Sequence, residues 1–349
     1  MHRDCAVGGR GNEAAPLPSF AVTAVLFTCV GMRVDTVTAF REAGATAIGA
    51  DASPYAPALY HCDQHALVPL KDEPDYIPAL SELIEHHDVR LVVPLTDIDQ
   101  AVVSARRDEL GAPVLLPDDD VVETTADKYL AHLAFEQKGI DSPPTWLPDQ
   151  LPDDLPFPVL VKARVGFGSR NIYRANDSDE LEFFLRSTPV DSMVQALCTG
   201  EEFSIDVFCD FDGRCLNAIP RTMIESKGGE SIKGMTIFDP ELIELGRRVA
   251  EALPLKGPGC VQCFREADGS LQITDVNPRF GGAFPLPTAA GSRYPEYAIA
   301  LANGERPEPR VGEFRTGVVM TRFWSEVCLT TSDEGPLEPL PEDLPVAES

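Results

Sequence analysis

Gly259–Arg279 reads GCVQCFREADGSLQITDVNPR. Asp268-Gly269 is a hairpin signal between two runs of strand formers. A two-residue loop puts Ala267 opposite Ser270, and Gln262 then falls opposite Asp275. Asn277 lies two residues further on, on the same face. Three oxygen-bearing side chains converge on one side of the hairpin. Carboxylate and amide oxygens suit a hard cation such as Mg²⁺, which keeps other positions for water and phosphate oxygens. Arg279 follows within reach, and an Arg beside Mg²⁺ suits phosphoryl transfer, where negative charge must be spread. The alternative is an exposed polar strand face with Asp275–Arg279 as a turn. A single misplaced turn residue would break the register.

Working outward, residues 159–305 mix antiparallel strands with helices, which predicts an α+β domain. Strands are expected at 159–162, 171–174, 202–209, 214–219, 259–265 and 271–276, and helices at 179–187 and 242–253. Asp212-Gly213 marks a second hairpin. Upstream, 143–158 carries six Pro and reads as a connecting stretch. Asp118–Asp120 reads as an acidic loop. Thr125–Gly139 has helical apolar spacing, with Thr125 as N-cap and Gly139 just past the end. Residues 20–117 alternate apolar strands with helical patterns, which predicts a small doubly wound parallel sheet. Residues 1–19 read as a loose extension. One further strand is expected at 317–323. The last residues are acidic and Pro-rich without a basic residue, which predicts disorder.

The chain has 349 residues, so at about 150 per domain two or three domains are expected. The formal net charge is −27. That charge repels phosphate backbones and anionic lipid, so nucleic acid and membrane surfaces are excluded as main partners. Acid-rich, Lys-poor surfaces fit a high-salt cytoplasm, and they also fit a GC-rich genome. Nine Cys scattered without a framework suit a reducing cytoplasm. No apolar run is long enough for a membrane span.

Two further stretches bear on chemistry. Pro158–Asn171 (PVLVKARVGFGSRN) places Lys162 at the end of a buried strand before a loop with Gly166 and Gly168. Backbone N–H groups freed by glycine can cradle phosphates, with Lys162 as a point charge. GxxxxGK[ST] is absent, so this is no Walker A loop. An ordinary surface turn with a snorkelling Lys is the other reading. Gln195–Asp206 (QALCTGEEFSID) pairs a short apolar stretch with two Glu before a strand. Backbone groups there can read an adenine, and a Glu can accept ribose hydroxyls.

Taken in order, these elements resemble the ATP-grasp superfamily, in particular the group similar to the synthetase halves of carbamoyl-phosphate synthase large subunit. The resemblance spans roughly residues 20–325. It implies an α/β fold: a pre-ATP-grasp domain over 20–117, an ATP-grasp domain with its linker helix over 118–305, and a strand segment over 306–329 before a tail at 330–349. It further implies that Lys128 and Lys162 contact nucleotide phosphates beneath a mobile loop at Gly166, Gly168 and Ser169. Gln195 and the backbone of Ala196 and Leu197 would hold adenine, and Glu202 the ribose. Gln262, Asp275 and Asn277 would hold Mg²⁺, with Mn²⁺ as a substitute. Arg279 would stabilise the transferring phosphoryl group. Arg221, with Lys227 and Lys233 nearby in sequence, would face phosphate or the acceptor carboxylate.

The implied activity is a cytoplasmic ATP-dependent ligase joining a small-molecule carboxylate to an amine or thiol through an acylphosphate. A homodimer is the implied assembly. A kinase acting on bicarbonate or carbamate, and an ATP-binding regulator without turnover, are the alternatives. Gln262 stands where most members carry a second acidic ligand, and Asp275 is shorter than the usual Glu. Only one ATP-grasp unit is present, which disfavours carbamoyl phosphate synthesis itself.

Rival motifs are weaker. All six His lie at or before His132, so no His-based site falls within 159–305. Cys260 and Cys263 point to opposite strand faces, so they read as buried hydrophobes. Gly9, Gly11 and Ala14 mimic a dinucleotide fingerprint without a preceding strand. Gly31 reads as a tight βα turn. Thr96 and Asp97 sit at a strand's carboxyl end, where open α/β sheets bind ligands; helix capping is the other reading.

Overall fold

The computed structural model describes residues 22–166, 171–228, 230–330 and 337–340. The expected extension at 1–19 with its glycines, Gly168 and Ser169, and most of the acidic tail lie outside the described residues.

The first layer is parallel. β1 (Ala24–Thr28) is buried along its whole length, as a central parallel strand must be. α1 (Val34–Glu42), β2 (Thr46–Asp51), β3 (Gln64–Leu67), α2 (Tyr76–His86), β4 (Val89–Pro94) and α3 (Gln100–Ala105) follow. The strands lie in the order β3-β2-β1-β4. The chain thus reverses direction across the sheet between β1 and β4, the kind of place where such sheets present loops to ligands.

Two short helices connect to the next part, and here two expectations are corrected. Asp119 and Asp120 are not in a loop but form the first turn of α4 (Asp119–Ala126), where carboxylates complement the helix dipole. Thr125 lies inside α4 and bonds back to the Val121 carbonyl at 2.8 Å. The next helix, α5 (Lys128–Gln137), is capped instead by Asp127, whose carboxylate accepts from the N–H groups of Tyr129 and Leu130.

A small antiparallel sheet comes next. It contains β5 (Thr145–Trp146), β6 (Val159–Ala163), β7 (Ile172–Ala175) and β8 (Ser192–Ala196), in the order β5-β8-β6-β7, with α6 (Ser178–Ser187) against it. The 143–158 stretch is therefore not wholly irregular, because Thr145 and Trp146 pair with Gln195 and Val194. This lobe has its own core of Val159, Val161, Ala175, Leu181 and Val194.

The large sheet carries β9 (Glu201–Cys209), β10 (Cys215–Lys227), β11 (Glu230–Thr236), α7 (Pro240–Ala252) behind it, β12 (Gly257–Arg265) and β13 (Leu271–Asn277). α8 (Pro285–Ala289), α9 (Tyr294–Ala302) and β14 (Val319–Thr321) complete it, in the strand order β13-β12-β9-β10-β11-β14. β15 (Leu329–Thr330) pairs with β16 (Glu338–Pro339), so part of the expected tail is in a short ladder.

The first domain and the large sheet share one core. Phe27 and Phe40 cluster with Phe208, Ile219, Phe280 and Tyr294. The Phe40 and Phe280 rings meet edge to face at 5.8 Å. α7 covers the other face of the sheet through Leu242, Val249, Ile205 and Val207.

The Asp268-Gly269 hairpin, expected to have a two-residue loop, has three residues in it, and so does the Asp212-Gly213 hairpin. Glu266 N–H bonds to the Ser270 carbonyl, and Gly269 N–H returns to the Glu266 carbonyl, each at 2.9 Å. Gly269 takes φ 87°, which its missing Cβ permits. Asp210 and Arg214 close the other hairpin in the same way, with Gly213 at φ 79°. In the first hairpin the longer loop offsets the pairing by one residue. A bulge at Thr274 then offsets it back, since Cys263 opposes Ile273 while Gln262 opposes Asp275. The expected Gln262–Asp275 pair holds because the two offsets cancel.

Candidate functional site

Strand alternation builds one wall of the site. On β9, Phe203, Ile205 and Val207 turn toward α7. Glu202, Ser204 and Asp206 therefore face the other way. Arg221 and Gln262 lie opposite Ser204, and Cys260 lies opposite Asp206. Asp275 and Asn277 extend the same face one strand further. Cys263 packs behind the sheet and Cys260 in front of it, as expected for residues three apart.

The opposite wall is the small lobe. Val159, Val161 and Ala163 are buried on one face of β6, which turns Lys162 to the other face. The Lys162 ammonium donates to Gln195 Oε1 at 2.7 Å, and Gln195 Nε2 donates to Thr145 Oγ1 at 2.9 Å. The Gln195 amide, expected at the adenine, thus bonds to Lys162 and Thr145. The Ala196 N–H is likewise taken by the Pro144 carbonyl at 2.9 Å. Burial pushes the Lys162 pKa down; Asp275 pulls it up, and Lys128 pushes it down further.

Lys128 joins the two walls. Its ammonium donates to the Gly166 carbonyl at 3.0 Å and lies 3.7 Å from Asp275 Oδ1. Asn277 Nδ2 donates to Asp275 Oδ2 at 3.3 Å, and Arg279 Nη2 donates to Asn277 Oδ1 at 3.2 Å. Arg279 Nε faces both oxygens of Asp97, at 2.9 and 2.8 Å. A continuous polar chain thus runs from the first domain through β13 to the glycine loop. Burial pushes the Glu202 carboxyl up, and Lys162 and Arg221 draw it back.

Several sequence expectations part from the geometry. Arg221 is buried against Asp206, Nε to Oδ2 at 2.8 Å, with Nη2 3.6 Å from Cys260 Sγ. Lys233 pairs with Glu225, and Lys227 sits over the Trp324 ring, so the three cations form no common basic stretch. Lys233 lies on the unforeseen β11 and Lys227 ends β10, and each makes a contact of its own. Asp97 does not cap α3; its carboxylate is held by Arg279. Gly31 N–H is occupied by Asp51 Oδ2 at 2.9 Å, consistent with a turn. Among the described residues no three His, Cys, Asp or Glu side chains cluster as a metal site. Asp275 is the carboxylate of the expected metal set, with the Gln262 and Asn277 amides beside it.

Sequence reasoning missed the clasp at the hinge between the lobes. Thr199 N–H and Oγ1 both bond to the Glu266 carboxylate at 3.1 Å. A Cβ at Gly200 would lie 1.9 Å from the Arg265 carbonyl oxygen, so only glycine lets the hinge lie against the hairpin. No local signal joins residues so far apart in the chain.

Two family descriptions match this chain. Residues 188–324 match "ATP-grasp in the biosynthetic pathway with Ter operon", and residues 25–115 match "PylC-like, N-terminal domain". The chain has the ATP-grasp fold. Its resemblance to that superfamily extends to the carbamoyl-phosphate-synthase-like members. Carbamoyl phosphate synthase large chain of Clostridium botulinum is 26% identical over 147 residues, which is 38% of this chain. The match spans only 13% of the length of that relative.

Solved structures share the architecture at low identity. The biotin carboxylase domain of Hydrogenobacter thermophilus 2-oxoglutarate carboxylase, a domain dimer crystallised with MgADP and bicarbonate, superposes with TM-score 0.69 at 16% identity. The match covers 86% of this chain and 74% of that one. L-amino acid ligase from Bacillus licheniformis gives TM-score 0.66 at 17% identity, covering 84% and 77%. N5-carboxyaminoimidazole ribonucleotide synthetase from Thermotoga maritima gives 0.63 at 17%, covering 82% and 78%.

Proposed function

We propose that this ATP-grasp protein is an ATP-dependent ligase that activates a carboxylate as its acylphosphate. The observation that carries the reading is the approach of Lys128 to Asp275, which Asn277 also contacts, with Lys162 of the small lobe near enough to feel the Asp275 charge. The donor set fits a nucleoside triphosphate with a hard cation. Among the described residues the Lys162 ammonium bonds only to Gln195, an uncharged acceptor, while Asp275 and Glu202 act on it only at longer range, which leaves it donors for an anion. Lys128 has a carboxylate at 3.7 Å and one carbonyl, which leaves donors for phosphate oxygens.

Asp275, Asn277 and Gln262 would hold Mg²⁺ or Mn²⁺, which supplies charge neutralisation at the phosphates. Lys128 and Lys162 bind the phosphates, with Gly166 beside Lys128. Glu202 accepts from the ribose, and the backbone at Ala196 and Leu197 borders the base. Arg279 spreads the charge on the transferring phosphoryl group. A substrate carboxylate oxygen attacks the γ-phosphorus, and the bond to the β,γ-bridging oxygen breaks, releasing ADP. An amine then attacks the acyl carbon, phosphate leaves, and the nitrogen gives up a proton. The protein's main contribution is positioning. The substrates are small molecules, and the dimeric biotin carboxylase relative supports a homodimer here.

A panel of ¹⁸O-labelled carboxylic acids, each paired with amines, tests this reading. One pair should release ADP and carry ¹⁸O into inorganic phosphate. Binding of Mg–ATP with no ADP from any pair would favour a regulator without turnover.

A further inference from the structure

The geometry points to Asp97 as a positioning residue for Arg279, by which the turn between β4 and α3 of the first domain sets the contact with the γ-phosphate. This rests on the reading of Arg279 just given. The Asn277-Pro278-Arg279 turn is gripped from the first domain at two points. The Asp97 carboxylate takes Arg279 Nε on both oxygens, at 2.9 and 2.8 Å. Buried Gln100 donates its Nε2 to the Pro278 carbonyl at 3.0 Å. One contact fixes the side chain and the other fixes the backbone immediately before it.

The guanidinium has five N–H donors in a fixed fork. Its Nε, one Nη1 proton to the Phe280 carbonyl and one Nη2 proton to Asn277 Oδ1 are engaged. The two donors left belong to Nη1 and Nη2. Arg279 and Asp97 side chains are 14% and 29% exposed, so solvent screens this pair less than a surface ion pair. Without Asp97 the Nε edge loses its anchor, and the remaining donors lose their aim. A nucleoside diphosphate has no γ-phosphate and does not report on that aim; a triphosphate does.

A role in charge neutralisation alone predicts the opposite sign. Removing the Asp97 charge would leave the site more positive and would tighten a triphosphate. The two roles are therefore separable by binding.

The test is calorimetric titration of the full chain with Mg²⁺ and either the β,γ-imido analogue of ATP or ADP. The reading is the ratio of their dissociation constants. Arg279→Ala should reduce the preference for the triphosphate analogue. Asp97→Asn should reduce it by about tenfold, the scale of a lost charged hydrogen bond, with ADP affinity and Tm near wild type. In the Arg279→Ala background Asp97→Asn should add nothing. An Asp97→Asn ratio that is unchanged or raised overturns the proposal. An unchanged ratio in Arg279→Ala overturns instead the assignment of Arg279 on which it rests. Should Asp97→Asn fail to fold, Gln100→Ala is read in the same way: a lowered ratio supports the first-domain grip, and an unchanged one overturns it.

Discussion

Lys162 is costly to the free protein. Burial disfavours its ammonium, and Gln195 offers a neutral oxygen as compensation. Its pKa is lowered from 10.5, so the unfolded chain binds more protons between the lowered value and 10.5. Stability then rises with pH across that window. Lys162→Met should raise the ligand-free Tm, by about 2–4 °C per kcal/mol of relief, and remove that rise with pH. It should also shrink the Tm shift produced by Mg–ATP. Thermal scans of both proteins at several pH values, with and without nucleotide, check this. A lower ligand-free Tm would mean that Lys162 stabilises the fold. At the hinge, Gly200→Ala forces a Cβ onto the Arg265 carbonyl. The overpacking should cost about 1–3 kcal/mol and weaken nucleotide binding, measured by denaturant melts and titration.

The β12–β13 hairpin shows how far sequence reasoning reaches. Val-Gln-Cys-Phe before the turn and Ile-Thr-Asp-Val after it give both strands, and Asp268-Gly269 gives the turn between them. The loop length and the bulge at Thr274 are set by twist and by packing against neighbouring strands, so they leave no local mark. β11 escaped because Glu230–Thr236 has no two-residue alternation; its place is fixed by pairing with β10 and β14. Thr125 and Asp127 are both good N-caps, and tertiary packing of α4 and α5 chose Asp127. The candidate site residues stand out as a set because their order along the chain is distinctive. Their partners do not: Asp97 for Arg279, Asp206 for Arg221 and Thr145 for Gln195 are all long-range. One prediction belongs to this element. Gly269 has φ 87°, and no atom lies within 4 Å of the place a Cβ would take, so only backbone strain opposes substitution. Gly269→Ala should lower stability by about 1 kcal/mol and leave nucleotide affinity unchanged, in contrast to Gly200→Ala.

At the scale of the whole molecule, the cores are divided unequally. The first domain and the large sheet share aromatic packing and form one body. The lobe of β5–β8 is held by a separate cluster and by contacts around Lys162, Lys128 and Asp127. That division suits closure of the small lobe over phosphates. Hydrogen exchange should slow at 159–166 and 192–200 when Mg–ATP binds, with β1, β2 and α7 little changed. Uniform protection across all three parts would argue against a separately moving lobe.

The most direct measurement is a crystal structure of the protein with Mn²⁺ and the β,γ-imido analogue of ATP, using manganese anomalous scattering. The account predicts phosphates between Lys128 and Lys162, and a manganese peak within coordination distance of Asp275 and Asn277. Nucleotide bound elsewhere, or manganese away from those two side chains, would contradict it.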